Sequence, residues 1–151
     1  MKKFEFTLET LLGIKEREEK DKQRELADAN GRLTRAQSVL DALIEEEDTL
    51  RKDWQSSLTS GWVSPDYRQY DQYFNRLHEL QDEQKEQIAQ IEQERDLIQE
   101  KLVRIMNEIK SLLKMKAKQY EAYKKEVARE EEKAVDDMIT FRLNPATEAG
   151  G

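Results

Sequence analysis

Apolar residues recur at alternating steps of three and four through two long stretches of this chain, and one short segment of helix breakers divides them. A pair of long helices is the arrangement that satisfies such a pattern. In the first stretch one heptad position is filled by Leu12, Glu19, Leu26, Leu33, Leu40, Glu47 and Trp54, and its companion by Leu8, Lys15, Lys22, Ala29, Ala36, Leu43, Leu50 and Ser57. The second stretch opens on Tyr67, Tyr70, Tyr73 and Phe74 and runs through Leu77, Ile88, Ile91, Ile98, Leu102, Ile105, Ile109 and Leu112, with polar intrusions at Gln81, Gln84 and Arg95. Between them lies Ser60-Gly61-Trp62-Val63-Ser64-Pro65-Asp66. A glycine there ends one helix, Ser64 can accept from the first amides of the next, and Pro65 suits its first turn.

The fold class read from this is all-α: two long helices forming an antiparallel coiled-coil hairpin, a single unit over residues 1–151, with the second helix overhanging the first. The arms are expected at about 7–58 and about 65–142, joined by a turn at about 59–64, with a disordered tail at 143–151 that begins near Asn144-Pro145. If the chain reverses at Trp62, the numbers of facing residues add to about 124, which sets Leu33 against Ile91, Leu26 against Ile98, Leu50 against Phe74, Trp54 against Tyr70 and Leu12 against Leu112. With 39% charged and 36% hydrophobic residues the chain can fill a narrow seam but not a broad core. The seam is weakest through the charged run 15–25, where lysine stems must cover it. After Leu112 the register is expected to slip by about one residue, through Lys116, Tyr120, Tyr123, Val127, Ala134, Met138 and Phe141. At ~1.5 Å per residue the arms would measure ~78 Å and ~117 Å, leaving roughly the last 25 residues of the second helix without a partner in the chain.

Most chemistries are excluded by composition. There is no cysteine, hence no disulfide and no thiolate site. His78 is the only histidine, and Ser56-Ser57 has no base at a useful spacing. Acidic runs such as Glu45-Glu46-Glu47 and Glu130-Glu131-Glu132 read as solvated faces, and no glycine-rich loop precedes a helix. Catalytic, metal and cofactor-binding residues are therefore expected to be none, and the protein is not expected to be an enzyme. A net charge of -7 disfavours nucleic acid as a partner. The opening residues are interrupted by Glu5 and Glu9, unlike a signal-peptide core, and no run has the roughly 18 apolar residues of a membrane span, so a cytoplasmic protein is expected.

Three places carry more apolar surface than one seam uses. Phe4, Phe6, Leu8, Leu11 and Leu12 either close the end of the coil or form a contact surface. The overhang stripe, Tyr120, Tyr123, Val127, Met138 and Phe141, either frays or meets a partner. At the start of the second helix, Tyr70, Phe74 and Leu77 suit the seam, which leaves Tyr73 and Leu80 on its flank as a candidate aromatic anchor.

The segments FEFTLETLLGIKEREE, YRQYDQYFNRL and EEKAVDDMITFR, at the opening, after the break and near the close, resemble the flagellar type III export protein family FliJ. That resemblance implies a soluble antiparallel coiled coil similar to the central stalk of rotary ATP synthases. It implies as partners the hexameric export ATPase FliI, the membrane export gate FlhA and export chaperones, with the protein peripheral at the cytoplasmic face of the cell membrane. Carried onto this sequence, it puts export-gate binding at Tyr73, Leu77, Leu80 and Gln84. It puts ATPase-ring binding at Phe4, Phe6, Leu8, Leu11, Leu12, Tyr120, Tyr123, Val127, Met138 and Phe141. A monomer is expected of such a stalk. A stalk of a virulence-type secretion system and a plain dimeric coiled-coil spacer remain the alternatives.

Overall fold

The structure, a computed structural model, describes residues 2–60 and 67–143. It holds two helices, α1 (Glu9–Thr59) and α2 (Tyr67–Leu143), packed against each other as an all-α hairpin. Most of the expected turn and the expected disordered tail lie outside the described residues. Every position named in the two heptad series of the first arm is buried or half-buried. Helical spacing alone put them there, because residues three and four apart share one face.

By internal contacts the chain divides into a terminal unit, Met1–Glu19 with Arg104–Gly151, and a central unit, Lys20–Val103. The terminal unit is held by an apolar cluster in which Phe6, Leu12, Ile105, Ile109 and Leu112 are buried and Phe4 and Leu8 pack against them. Leu12 and Leu112 thus meet as the facing rule expects. Each such side chain contributes about 1.5–3 kcal/mol on leaving water. The first residues are not helical: the Phe6 carbonyl accepts from the Glu9 amide at 3.2 Å, and α1 starts there, with an acid in its first turn that suits the helix dipole. The seam position held by Lys15 is covered by an ion pair with Glu108 at 2.7 Å.

In the central unit Ala29, Leu33, Ala36, Leu77 and Gln81 are buried. Trp54 meets Tyr70 with ring centroids 4.9 Å apart, a pair the facing rule expects, and Tyr67 at 5.5 Å. Polar intrusions here are satisfied across the seam. Gln81 donates to the Glu47 carboxylate at 2.9 Å and to the Leu43 carbonyl at 3.4 Å. Gln84 donates to the Ala36 carbonyl at 2.8 Å, an approach that the small Ala36 side chain leaves open. A buried amide without such acceptors would cost about 1–3 kcal/mol.

Two expectations are corrected in the terminal unit. The register slip after Leu112 does not come where it was read but later: Lys116 and Tyr123 fit both spacings, Gln119 is half-buried where Tyr120 is exposed, and the slip is seen only at half-buried Val127. Nor does the unpartnered part of α2 begin near residue 117. Phe4 packs edge-on against Tyr120 at 5.1 Å and against Tyr123 at 5.5 Å, and Gln119 donates to the Thr7 hydroxyl at 3.2 Å. The expected arm begins at about Thr7, whereas the residues before it also pack on α2 and keep the same facing rule, Phe4 with Tyr120 again adding to 124. From Ala128 to Leu143 every residue is exposed.

Candidate functional site

Heptad geometry divides the residues after the break between the seam and its flank. Leu77 is only 2% exposed and belongs to the seam. Leu80 is half-buried, and Gln84 is half-buried with its amide engaged by the Ala36 carbonyl. Tyr73 is exposed, and its hydroxyl donates to the Glu46 carboxylate, which raises the phenol above its ordinary pKa. Of the four residues assigned to gate binding, Tyr73 alone stands on the surface, with Leu80 at its margin. An aromatic ring tethered at its tip in this way presents its face at little entropic cost.

Beside this region the central unit carries a shallow acidic groove of about 390 Å³ on one face of α1, lined by Asp41, Ile44, Glu45, Glu47, Asp48 and Arg51. Sequence reading passed over it as a solvated face. Its signal was Ile44, an exposed apolar residue among acids spaced by three and four. Glu47 is held below the ordinary glutamate pKa, first by the Gln81 amide and then by His78, whose Nε2 lies 2.6 Å from it.

The residues assigned to ring binding separate into two groups. Phe4, Phe6, Leu8, Leu12 and Tyr123 are buried or half-buried among themselves, with the Tyr123 hydroxyl donating to the Lys2 carbonyl at 2.5 Å. Leu11 and Tyr120 are exposed on the same unit, although Tyr120 keeps its contact with Phe4. Val127 is half-buried, while Met138 and Phe141 are exposed, Phe141 at 68%. Three more exposed apolar residues, Val135, Ile139 and Leu143, accompany them. Sequence reading left these out because it followed a single narrow heptad line, whereas the apolar face of α2 past Val127 is wider. A further shallow groove of about 270 Å³, lined by Glu19, Met106, Ile109, Lys110 and Leu113, lies on the same unit.

Among the described residues no group of three or more acidic or imidazole side chains is placed to hold a metal ion. No described helix is long and apolar enough to cross a membrane. What the surface offers is apolar and charged contact area along helices, suited to binding other proteins.

A family model for the flagellar FliJ protein matches residues 4–146. The chain belongs to the FliJ family. Membership agrees with the two-helix hairpin and identifies a coiled-coil protein of flagellar export. No curated protein and no solved structure matches the chain.

Proposed function

We propose that this FliJ-family chain is a stalk that links the hexameric export ATPase FliI to the export gate FlhA and assists the handling of export chaperones. It does no chemistry of its own and works at the cytoplasmic face of the membrane through these partners. The observation that carries this reading is the exposed apolar face of α2 from Ala128 to Leu143, on a helix of 77 residues against 51 in α1. An amphipathic helix that continues past its own partner arm has surface to offer to something else. On this reading Val127, Met138 and Phe141 contact the ring, Leu11 and Tyr120 add to that contact, and Phe4, Phe6, Leu8, Leu12 and Tyr123 stiffen the base from which the helix projects. Tyr73, with Leu80, meets the gate, and Leu77 and Gln84 hold the helix that presents it.

Truncation after Val127 tests the ring contact while sparing Tyr120 and Tyr123, which hold Phe4. Loss of ATPase capture and of ATPase stimulation, with the helicity of the remainder kept, is expected; capture at full strength would remove this segment from the mechanism. For the gate, Tyr73→Ala is expected to weaken gate binding about tenfold, as for an aromatic anchor. Export and gate affinity equal to those of the unaltered chain would remove Tyr73 from the contact.

A further inference from the structure

The end of α2 is divided by charge. Residues 110–125 carry six lysines against one acid, Glu121, whereas residues 126–137 carry six acids against Arg129 and Lys133. The acidic block is a poor helix if left alone. Glu126 and Glu130, and Glu132 and Asp136, are like-charged pairs at a spacing of four, which destabilise an isolated helix. Yet the helix is unbroken to Leu143, and it exposes Val135, Met138 and Ile139 beside those acids. The basic block has an apolar face of its own, with Leu113 and Tyr120 exposed at a step of seven, and Met106 one step before the block continues it. A partner for the acidic block needs lysines interleaved with apolar residues at helical spacing, and the preceding block of the same helix has them. One continuous helix cannot fold its end onto its own flank, so within this sequence a second copy is what can supply them.

We propose that, free of other partners, two copies of this chain pair antiparallel through the C-terminal half of α2, the acidic block of each lying on the basic block of the other. Parallel pairing would set lysines on lysines and acids on acids. A two-fold axis near Glu126 instead sets Ile139 opposite Leu113 and Val135 opposite Ala117, with Lys114 and Lys124 beside the acids of the partner. Each contact occurs twice, as a self-complementary interface requires. Lys124 already pairs with Glu121, and it gains a second acid on assembly. The pairing covers the apolar face that the stalk reading assigns to the ATPase ring, so a ring would have to displace the second copy. The dimer itself is argued from charge and surface alone and does not depend on that reading.

Light scattering on the full chain at about 100 μM is expected to give twice the 17.9 kDa of one copy in about 50 mM salt and to fall towards one copy near 1 M, where such charges are screened. Lys114→Glu with Lys124→Glu, and separately Glu131→Lys with Glu132→Lys, should each give monomers. Mixed, the two variants should form a heterodimer, with circular dichroism confirming that each remains helical. Because the chain has no cysteine, Ala117→Cys in one copy and Val135→Cys in another should cross-link through a short bis-maleimide, while Ala117→Cys alone should not. A single-copy mass for the unaltered chain at low salt would overturn the proposal. So would a dimer that both charge reversals leave intact, or variants that fail to pair with each other.

Discussion

The two units of this hairpin follow the same heptad rule and are held by different means. In the terminal unit the seam is apolar, with Phe6, Leu12, Ile105, Ile109 and Leu112 closing on one another. The central unit also buries Leu33, Leu77 and Leu102, but it has alanines at Ala29 and Ala36 and two hydrogen-bonded amides in its seam, Gln81 on Glu47 and Gln84 on the Ala36 carbonyl. Apolar layers contribute more free energy but accept neighbouring registers, whereas a buried amide finds its acceptors in one register only. Strength is thus concentrated where α2 goes on to project beyond α1, and register is specified where Tyr73 is held beside Glu46.

The largest effect that would test this contrast is expected from Ile109→Ala, which should lose roughly 2–5 kcal/mol by opening a cavity in the apolar cluster. Hydrogen exchange should then accelerate in the terminal unit and stay slow in the central one; equal acceleration in both would erase the distinction. Next comes Gln81→Leu, expected to lose about 1 kcal/mol alone, and to become neutral or stabilising by about 1–2 kcal/mol when joined to Glu47→Leu. In that double variant a cross-link between Leu33→Cys and Ile91→Cys should lose yield to one shifted by a heptad, Leu33→Cys with Ile98→Cys. Undiminished selectivity would mean that the amides do not set the register.

Gly31→Ala should raise stability by about 1 kcal/mol, as should Gly13→Ala. An added Cβ meets only the Arg35 side chain at 3.6 Å in the first case and nothing within 4 Å in the second. Thermal melts would show the gain, and hydrogen exchange should slow most in the unit that carries the change. Smallest is a pH effect. The depressed pKa of Glu47 gives stability that is present above the ordinary glutamate value of 4.5 and lost as pH falls through the lower folded value. Glu47→Gln should flatten that acid limb in the central unit, and an unchanged limb would count against the role given to Gln81 and His78.

Nearly all of the seam was legible from spacing, because heptad periodicity and one reversal determine which residues face which. Trp54 with Tyr70 and Leu12 with Leu112 were both foreseen on that ground. The polar layers were visible only as interruptions, since nothing in a single helix tells that Gln81 will find a carboxylate on the other. The overhang was set too long because the first arm was taken to begin at about Thr7, with nothing before it covering α2. Phe4 and Phe6 pack ahead of α1 on the same facing rule, and that moves the start of the unpartnered face from about residue 117 to Ala128. At the candidate surfaces, periodicity separated Tyr73 from Leu77 correctly. It could not show that the amide of Gln84 is taken up inside the hairpin.

Trp54 lies against Tyr67 and Tyr70, and both tryptophans of the chain, Trp54 and Trp62, fall between Lys20 and Val103, while the aromatic contacts of the terminal unit involve only phenyl and phenol rings. Indole emission is therefore a local gauge. In a urea titration it should follow the central segment alone, whereas far-ultraviolet ellipticity sums both helices, and the gap between the two curves would read out how tightly the halves are coupled in unfolding.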